Sequence, residues 1–510
     1  MILGKSLSYT ARLYPNRPAI IFEGRSWTHS ELLTRVRKLA NVLLELGFRK
    51  GDRLAVLGRN SHRYLEASFA LALDGICMVP INHRLKPAEA GIRFAHAEVA
   101  GIMVEPEFLP LLDALEPAIM APLRERVIIL DDMAGGALNY ERLLEAATDC
   151  DTSVSVSPED PLYLGYTSGT TGRAKAAIVS HRAIVVGFLY KTIQYDFRAD
   201  EVSLNPGYFW HSAPRDFALL QIYLGGTTVV MRDFRAQACL KLMQTYKVGN
   251  GFFVPTMFRM MLDLPNFRDF DLTSLRLILS GGAPLPTAIK DAVLTSFGPV
   301  LHEFYAATET RIVTSISAEK LMSKTRSVGR PVRDVELRIL DEVGHDLPLG
   351  TTGEIFLRSP TLFSGYYNNP EKTEAAFRGD WFSLGDMGRL DEEGYLYIVD
   401  RKQDVVISGG ENIYPGEVED VLLRHPSVTD AAVIGVPDEK WGEALKAIVC
   451  LRSGSTTTAD ELNAFCAKYL ADYLKPRSYD IVAELPRNPT GKVLKRELRA
   501  PYWQGREAKV

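Results

Sequence analysis

Apolar residues recur at helix-like and strand-like spacings through the first part of the chain. Over residues 31–46, leucines and valines fall every three or four positions, which predicts an amphipathic helix closed by Gly47. A buried strand is expected over residues 52–57, then a helix over residues 65–73 and a strand over residues 77–81. This alternation is typical of a mostly parallel sheet covered by helices.

The pattern changes further along the chain. Residues 148–161 are rich in Ser, Asp and Pro, and we expect them to lead into a second α/β region that extends to about residue 329. Beyond Val335, apolar and polar residues alternate, which predicts a small antiparallel layer. A compact α+β tail follows Arg401, and a capping box at residues 458–461 is expected to begin its last helix.

These patterns predict an α/β fold. We expect a large N-terminal domain of parallel α/β sheets with a small antiparallel β layer, and a small α+β C-terminal domain. The chain has 510 residues, of which 46% are hydrophobic and 24% are charged, as is ordinary for a soluble globular protein. It is long enough for more than one domain.

Charge and cysteine content narrow the function classes. Lys and Arg total 59 against 63 Asp and Glu, a near balance that argues against a nucleic-acid partner. The cysteines are far apart and form no metal-binding pattern, so free thiols and a cytoplasmic location are expected: Cys77, Cys150, Cys239, Cys450 and Cys466. The N-terminus lacks a secretory pattern, and no apolar stretch is long enough to span a membrane.

The strongest chemical signal is the segment from Tyr166 to Lys175, which follows a short apolar strand. Its glycines let backbone N–H groups converge on an anion, its hydroxyls add donors, and Lys175 adds a positive charge for phosphate oxygens. The order differs from that of a Walker A loop. A flexible Ser/Thr/Gly loop is the alternative interpretation.

Two acidic motifs could complete a nucleotide site. In residues 305–309, Tyr305 could stack on a base while Glu309 holds magnesium, which often takes one or two carboxylates plus substrate phosphates. Asp386, flanked by glycines, and Arg401 could hold a ribose. The alternatives are an exposed glutamate after a strand and a surface ion pair.

Two further motifs lie near the C-terminal end. The pair Gly409-Gly410 allows close backbone approach or a hinge-like loop, or simply precedes a helix. Gly491-Lys492 forms a tip that could deliver an ammonium to developing negative charge, although a solvated lysine is the alternative. His211 could be a packed histidine or the wall of a substrate pocket.

Taken together, these five motifs, in order from residue 166 to residue 492, resemble the core motifs of the adenylate-forming superfamily. That superfamily comprises acyl- and aryl-CoA synthetases, firefly-type luciferases and the adenylation domains of peptide synthetases. The resemblance covers nearly the whole chain. It implies an ATP-dependent acyl-CoA ligase that forms an acyl-adenylate and pyrophosphate, then acyl-CoA and AMP.

The resemblance assigns the nucleotide and the metal to particular residues. The β- and γ-phosphates would lie in a loop of Thr167, Ser168, Gly169, Thr170, Thr171, Gly172 and Lys175. The adenine and acyl pocket would be lined by Gly281, Gly282, Ala283 and Pro284. Tyr305 would stack on adenine, Thr308 would contact the α-phosphate, and Glu309 would bind Mg²⁺. Asp386 and Arg401 would hold the ribose.

Catalysis and acyl binding follow from the same resemblance. Lys492 would bridge the carboxylate and the α-phosphate during adenylation, and His211 would guard the acyl carbonyl. The remaining candidates for the acyl pocket are Trp210, Phe217, Gly281, Ala306 and Ala307. Apolar residues near Phe217 favour a fatty, alicyclic or aromatic acid, although Asp216 leaves an amino acid open.

The resemblance also implies a moving C-terminal domain. Residues 1–402 would form the adenylation domain, and residues 403–510 would be a mobile domain that swings about Gln403. In the second pose the glycine pair would enter, and the tunnel for CoA would be shaped by Gly409, Gly410, Trp441, Lys475 and Arg477.

Three positions depart from the usual motifs. Lys175 lies between Ala174 and Ala176 instead of Pro and Gly, Ala306 stands where Gly is usual, and Gln403 stands where Asp or Lys is usual. Since Lys175 and Glu309 are kept, activity is expected.

The expected partners are a carboxylic acid, ATP and CoA, with Mg²⁺ as cofactor; a homodimer is compatible with this assignment. Two other functions stay open at this point. One is loading of a carrier-protein thiol instead of CoA, and the other is a non-catalytic nucleotide or acyl sensor.

Overall fold

A computed structural model describes residues 1–131, 138–167, 175–487 and 493–504. Its strands, in chain order, are β1 (Pro18–Phe22), β2 (Arg25–Thr28), β3 (Arg53–Leu57), β4 (Cys77–Ile81), β5 (Gly101–Val104), β6 (Val127–Ile129), β7 (Pro161–Thr167), β8 (Lys175–Ser180), β9 (Val202–Leu204), β10 (Thr227–Val230), β11 (Asn250–Phe253), β12 (Leu277–Ser280), β13 (Leu301–Ala307), β14 (Arg311–Ile316), β15 (Arg330–Pro331), β16 (Glu336–Leu340), β17 (Gly353–Arg358), β18 (Gly365–Tyr366), β19 (Phe377–Arg378), β20 (Trp381–Leu390), β21 (Leu396–Arg401), β22 (Val406–Ser408), β23 (Glu411–Ile413), β24 (Val428–Asp438), β25 (Gly442–Leu451) and β26 (Ser478–Val482).

The helices, in chain order, are α1 (Ser6–Leu13), α2 (His29–Glu45), α3 (His62–Asp74), α4 (Pro87–Ala97), α5 (Leu109–Asp113), α6 (Pro117–Met120), α7 (Tyr140–Ala146), α8 (His181–Tyr195), α9 (Ser212–Tyr223), α10 (Ala236–Thr245), α11 (Pro255–Leu262), α12 (Thr287–Phe297), α13 (Ala318–Leu321), α14 (Pro370–Ala375), α15 (Pro415–Leu422), α16 (Ala459–Ala467) and α17 (Lys495–Arg499). None of the described helices combines the length and the hydropathy that a bilayer-spanning segment needs.

The chain divides into two compact units. The first unit contains Met1–Val335 and Ser359–Ala375, and the second contains Glu336–Arg358 and Ala376–Val510. The boundary at residue 335 coincides with the predicted change of pattern. The hinge expected at Gln403 falls inside the second unit and remains a prediction.

The first unit is built on two large sheets. Within the described residues, one sheet has nine strands in the order β15-β14-β13-β12-β11-β9-β10-β1-β2, and the other has seven in the order β18-β8-β7-β4-β3-β5-β6. In the nine-stranded sheet, the neighbouring strands β13-β12-β11-β9-β10-β1 are all parallel. In the seven-stranded sheet, the neighbouring strands β7-β4-β3-β5-β6 are all parallel. The predicted parallel α/β architecture is therefore confirmed.

The two sheets exchange strands along the sequence. β1 and β2 come from the first 30 residues but belong to the nine-stranded sheet, where β1 pairs with β10 and β2 pairs with β1. β7 and β8 lie beyond residue 160, yet β7 pairs with β4 of the seven-stranded sheet. The two sequence regions therefore do not form separate sheets, and the segment between them links strands of one sheet.

The second unit contains two smaller sheets. In the first, β16, β17, β19, β20 and β21 pair in antiparallel fashion, which confirms the predicted antiparallel layer. In the second, β22 to β25 are antiparallel and β26 joins β25 in parallel. The predicted capping box is present, since Thr458 and Glu461 cap each other at the start of α16. That helix is not the last, because α17 follows it.

Candidate active site

Two of the predicted motifs of the first unit emerge at one edge of the nine-stranded sheet. β12 and β13 are parallel neighbours with Ser280 opposite Glu303. Residues 281–284 follow the carboxyl end of β12, and residues 305–309 include the carboxyl end of β13. In α/β sheets, ligands bind at this edge of the strands.

The glycine pair after β12 keeps this edge open. A Cβ at Gly281 would fall 2.6 Å from the Phe304 ring, so this position excludes larger side chains. Gly282 has a φ of +83°, which favours glycine, and a Cβ there would meet no atom of the described chain within 4 Å. Because Ala283 and Pro284 follow directly, the four predicted residues form a small-residue surface that a planar ligand can approach.

Glu309 is buried, not exposed as the alternative interpretation held. It is 5% exposed, and its Oε1 accepts a hydrogen bond from the Tyr366 hydroxyl at 3.1 Å. The Glu309 carbonyl also accepts from the Phe363 N–H at 2.8 Å. These contacts fix the carboxylate at the sheet edge. The Tyr366 bond is to Oε1, and no side chain among the described residues hydrogen-bonds to Oε2, which leaves Oε2 for a cation.

The predicted phosphate loop lies between two paired strands. β7 and β8 run antiparallel, and Thr167 is the register partner of Lys175. Ser168, Gly169, Thr170, Thr171 and Gly172 lie outside the described residues.

Lys175 and Glu309 meet at one aromatic ring. The Lys175 ammonium lies 5.2 Å from the centre of the Tyr366 ring, whose hydroxyl holds Glu309. A Cβ at Gly165 in β7 would be 2.3 Å from the Thr308 methyl, so this strand packs closely on the Thr308–Glu309 turn. The predicted phosphate lysine and the predicted magnesium ligand are thus brought together, although they are 134 positions apart in the sequence.

The turn after β13 depends on an arginine that the sequence analysis missed. Arg311 has a φ of +60°, a left-handed conformation that is uncommon for residues other than glycine. Its guanidinium donates to the Tyr163 hydroxyl and the Thr308 carbonyl, and pairs with Asp216 at 2.8 Å. No sequence signal distinguished this arginine from a solvated strand residue.

His211 caps the helix that faces this region. It precedes α9 with extended backbone dihedrals, and its ring lies 3.6 Å from that of Trp210, centre to centre. Desolvation, reinforced by the positive charge of Arg215, lowers the pKa of His211 to about 3. The imidazole is therefore neutral near neutral pH and can contribute a hydrogen bond but no charge.

Two of the acyl-pocket candidates, Phe217 and Gly281, contact the same phenylalanine ring. Phe217 is 2% exposed and packs against Phe252 and Phe304, at ring distances of 5.5 and 6.0 Å. Gly281 lies beside Phe304, so these candidates share an aromatic cluster. Tyr305, Ala306 and Ala307 are half-buried at the end of β13, where Tyr305 pairs with Thr314.

A small, partly open cavity lies beside this cluster in the first unit. Its lining includes Gly187, Lys191 and Tyr195 of α8, together with Arg311 and Ile312. Lys191 was not among the predicted site residues, because it is a single lysine in a mostly apolar helix. Its ammonium lies 5.1 Å from the centre of the Phe217 ring.

The second unit contains the predicted ribose pair. Asp386 and Arg401 are register partners on β20 and β21, and Arg401 Nε lies 2.6 Å from Asp386 Oδ1. Asp386 is 4% exposed, whereas the Arg401 side chain is 33% exposed. A Cβ on the neighbouring Gly385 would meet no atom of the described residues within 4 Å.

Three of the predicted CoA residues also come together in the second unit. The Gly409 N–H donates to the Trp441 carbonyl at 2.8 Å, and a Cβ at Gly409 would lie 2.8 Å from the Trp441 ring. The Arg477 guanidinium lies 5.0 Å from the centre of that ring. Gly410 has open space around its Cα. Lys475 instead pairs with Asp472 at 2.7 Å.

The predicted hinge lies in a short 3₁₀ turn that α17 contacts. Arg499 donates to the Gln403 carbonyl at 3.0 Å and pairs with Asp404 at 2.7 Å. Lys495 of the same helix pairs with Glu419 at 2.8 Å. Lys492 lies outside the described residues.

Comparison with known proteins agrees with these motifs. Residues 7–367 match the model of the AMP-binding enzyme family, and residues 417–492 match the AMP-binding enzyme C-terminal domain. A feruloyl-CoA synthase from Amycolatopsis sp is 35% identical over 496 residues, covering 96% of this chain and 97% of the relative. A fatty acid–[acyl-carrier-protein] ligase from Streptomyces coeruleorubidus is 32% identical, covering 100% and 98%.

A solved structure shares the same architecture. The anthranilate CoA ligase AuaEII in complex with anthranoyl-AMP superposes with a TM-score of 0.89 at 26% identity, covering 98% of this chain and 97% of that one. The fold, the ordered motifs and the two matched family models all agree. The chain belongs to the AMP-binding enzymes of the adenylate-forming superfamily, and it is an AMP-forming acid–thiol ligase of the acyl-CoA synthetase type.

Proposed function

We propose that the first unit binds ATP and Mg²⁺ at the carboxyl edge of β12 and β13. The observation that carries this proposal is the convergence of Lys175 and Glu309 on Tyr366. A cation for phosphate oxygens and a carboxylate for a metal then lie on one surface. Tyr305 stacks on adenine beside Gly282, and Thr308 contacts the α-phosphate.

The residues present fit a magnesium ion. Mg²⁺ commonly takes one or two carboxylates, completing its shell with water and substrate phosphates. Glu309 offers one fixed carboxylate with Oε2 left for a cation, and the described residues contain no group of three potential metal ligands that would compete. The bound ion would neutralise phosphate charge as pyrophosphate leaves.

The second unit supplies groups for ribose and CoA in this proposal. Asp386 accepts the ribose hydroxyls while Arg401 orients its carboxylate. Trp441 and Arg477 offer an aromatic face and a cation to the nucleotide part of CoA, next to the Gly409 backbone. The C-terminal domain moves about Gln403, so that Lys492 serves the first half-reaction and the glycine loop serves the second.

The reaction has two displacement steps. A carboxylate oxygen of the acid attacks the α-phosphorus of ATP, and the bond to pyrophosphate breaks. The thiolate of CoA then attacks the carbonyl carbon of the acyl-adenylate, and AMP leaves. Positioning and charge neutralisation by the residues named above provide most of the rate acceleration. His211 stays neutral beside the acyl carbonyl.

The acid is expected to lack an α-amino group. Asp216, the carboxylate that could have anchored an ammonium, is 2% exposed and is paired with Arg311. A substrate ammonium would have to displace that arginine. An aliphatic, alicyclic or aromatic acid therefore fits the site better than an amino acid.

Pyrophosphate release with ATP and Mg²⁺ tests this function. We would measure it over a panel of fatty, aryl and amino acids, each with and without CoA. Sustained turnover that requires CoA supports the proposal. A single CoA-independent burst would instead support loading of a carrier thiol, as the Streptomyces coeruleorubidus relative is named for.

Two variants separate the proposed roles. Glu309→Gln keeps the shape of the side chain but removes the metal-binding charge, so adenylation should fall by roughly 100-fold. Lys492→Ala should abolish adenylation while sparing thioester formation from preformed acyl-AMP. Equal loss of both half-reactions in Lys492→Ala would contradict the two-pose assignment.

A further inference from the structure

The side chain of Lys191 lines the cavity, and its ammonium has no ion-pair partner among the described residues. It is 7% exposed, and over the described residues its ammonium forms no ion pair and no hydrogen bond. The rings of Phe188 and Phe217 lie 5.3 and 5.1 Å from the nitrogen, which compensates only part of the lost hydration. An uncompensated buried charge is costly, so it calls for an anionic partner.

The described charges around Lys191 do not balance one another. Arg215 is 1% exposed, and its Nη2 has no hydrogen-bond partner among the residues that the structure describes; Asp216 Oδ1 lies 3.5 Å from it. Arg311 pairs with Asp216 Oδ2, and its own Nε has no hydrogen-bond partner within the described part of the chain. Three buried cations thus face one carboxylate. Glu309, the next carboxylate that acts on Arg311, is the proposed magnesium ligand.

The cavity adjoins the catalytic turn. Arg311 lines the cavity and also donates to the carbonyl of Thr308, the residue before Glu309. Phe217, against which Lys191 packs, lies on the helix that His211 caps. Arg311 therefore links the wall of this cavity to the turn at which we propose that the acid reacts.

We propose that this ligase acts on acids that carry a second carboxylate, and that Lys191 binds this remote carboxylate inside the cavity while Arg311 supports it. The inference rests on the proposed function, because it takes the acid's reacting end to lie at the Thr308–Glu309 turn. Ile312 and Val332 in the cavity wall pack against the carbon chain or ring between the two carboxylates.

The chemistry of the cavity selects among remote groups. A carboxylate both hydrogen-bonds to an ammonium and cancels its charge. A hydroxyl or amide would satisfy donors but leave the excess charge, and a methyl group would do neither. A remote amine would add a fourth cation and be repelled. Burial lowers the pKa of Lys191 to about 8, with Asp216 opposing and Arg311 reinforcing that effect, so the ammonium is charged at neutral pH.

The test compares three acids of equal length: adipate, hexanoate and the ω-amino acid of the same chain. A rigid pair, terephthalate and 4-methylbenzoate, is measured beside them. We expect CoA-ester formation by the wild-type enzyme to have a higher kcat/KM for the diacid than for its monoacid, by on the order of 10-fold to 100-fold. The amino acid should be the poorest substrate.

The variant Lys191→Met should lose this preference, with diacid kcat/KM falling at least tenfold and the monoacid value kept or raised. Lys191→Arg, which retains the charge, should keep the order of the three acids. The inference is overturned if wild type favours the monoacids, or if Lys191→Met leaves the ratio of diacid to monoacid unchanged. CoA-dependent turnover of monoacids in either case would show that the proposed function survives; its absence with every acid would show that the proposed function itself has failed.

Discussion

Single side chains in this ligase gain their properties from residues far away in sequence. Lys191 stands in a mostly apolar helix and would be a solvated lysine on an isolated helix. In the fold, the rings of Phe188 and Phe217 lie over the Lys191 ammonium. The neighbouring carboxylate, Asp216, forms its ion pair with Arg311 instead of with Lys191. The charge of Lys191 is therefore retained at a cost to stability.

That cost has a pH dependence with a definite sign. Burial lowers the pKa of Lys191 from 10.5 to about 8, which corresponds to roughly 3 kcal/mol at 1.36 kcal/mol per pH unit. Below pH 8 the lysine is protonated in both the folded and the unfolded chain, and the full cost is present. Between pH 8 and 10.5 the folded chain releases its proton first, so wild-type stability recovers.

Lys191→Met should therefore be more stable than wild type near neutral pH, by up to about 3 kcal/mol, with the difference shrinking as pH rises towards 10.5. Urea unfolding at several pH values measures this difference. Lys241→Met, at an exposed position of α10, is the matched control and should show no such trend. A difference that stays constant with pH would contradict the burial of a charged Lys191.

The functional role of a residue could be predicted where the residue lies in a motif, but its burial and its contacts could not. Glu309 follows from its motif, but its burial depends on Tyr366, a residue 57 positions later. Arg311 could not be singled out, because its role depends on Tyr163 and Asp216, which lie on distant elements. Such contacts are set by packing, which local patterns do not encode.

At the scale of elements, the two adjacent glycines in the loop between β22 and β23 differ in the space available for a side chain. Gly409 and Gly410 both have positive φ, at +62° and +89°. Only Gly409 also lacks room for a side chain, because the Trp441 ring lies against it. Gly410 is open.

This difference gives a matched pair of substitutions. Gly409→Ala must push Trp441 away, so KM for CoA should rise several-fold, while adenylation measured by pyrophosphate exchange should be retained. Gly410→Ala adds only backbone strain of about 1 kcal/mol and should have the smaller effect on KM. An equal effect of the two substitutions would rule out the Trp441 contact as the cause.

The first residues of several helices are set by capping residues that can be recognised in the sequence. The strand Cys77–Ile81 was predicted residue for residue. α2 begins two residues before the predicted start, because Thr28 and Glu31 form a capping box that the apolar pattern does not show. α3 begins at His62 because Ser61 caps it, and nearly all of its residues are buried, which masks the helical periodicity.

At the scale of the whole molecule, the proposed domain movement requires that the segment around Gln403 can change conformation. Arg499 holds this segment through the Gln403 carbonyl and the Asp404 carboxylate. The helix that carries Arg499 follows the Lys492 motif closely in sequence. Movement of the Lys492 segment and release of the hinge are thus mechanically linked in this proposal.

Arg499→Ala should loosen the hinge. Loss of two charge-assisted contacts lowers the local opening free energy by about 1.5 kcal/mol, so trypsin should cleave after Lys402 roughly 10-fold faster. Arg496→Ala, at an exposed position on the same helix, removes the same charge and is the control. Equal cleavage rates in the two variants would show that Arg499 does not restrain the segment.

The exchange of strands between the two large sheets has a consequence for biosynthesis. β1 leaves the ribosome long before its parallel partner β10, which begins at Thr227. The nascent chain therefore carries the apolar strand β1 with only β2 paired to it, and its other edge stays unpaired while some 200 further residues are translated. Non-local pairing of this kind slows folding and exposes strand edges to aggregation, so fragments that stop before β10 should depend on chaperones to stay in solution.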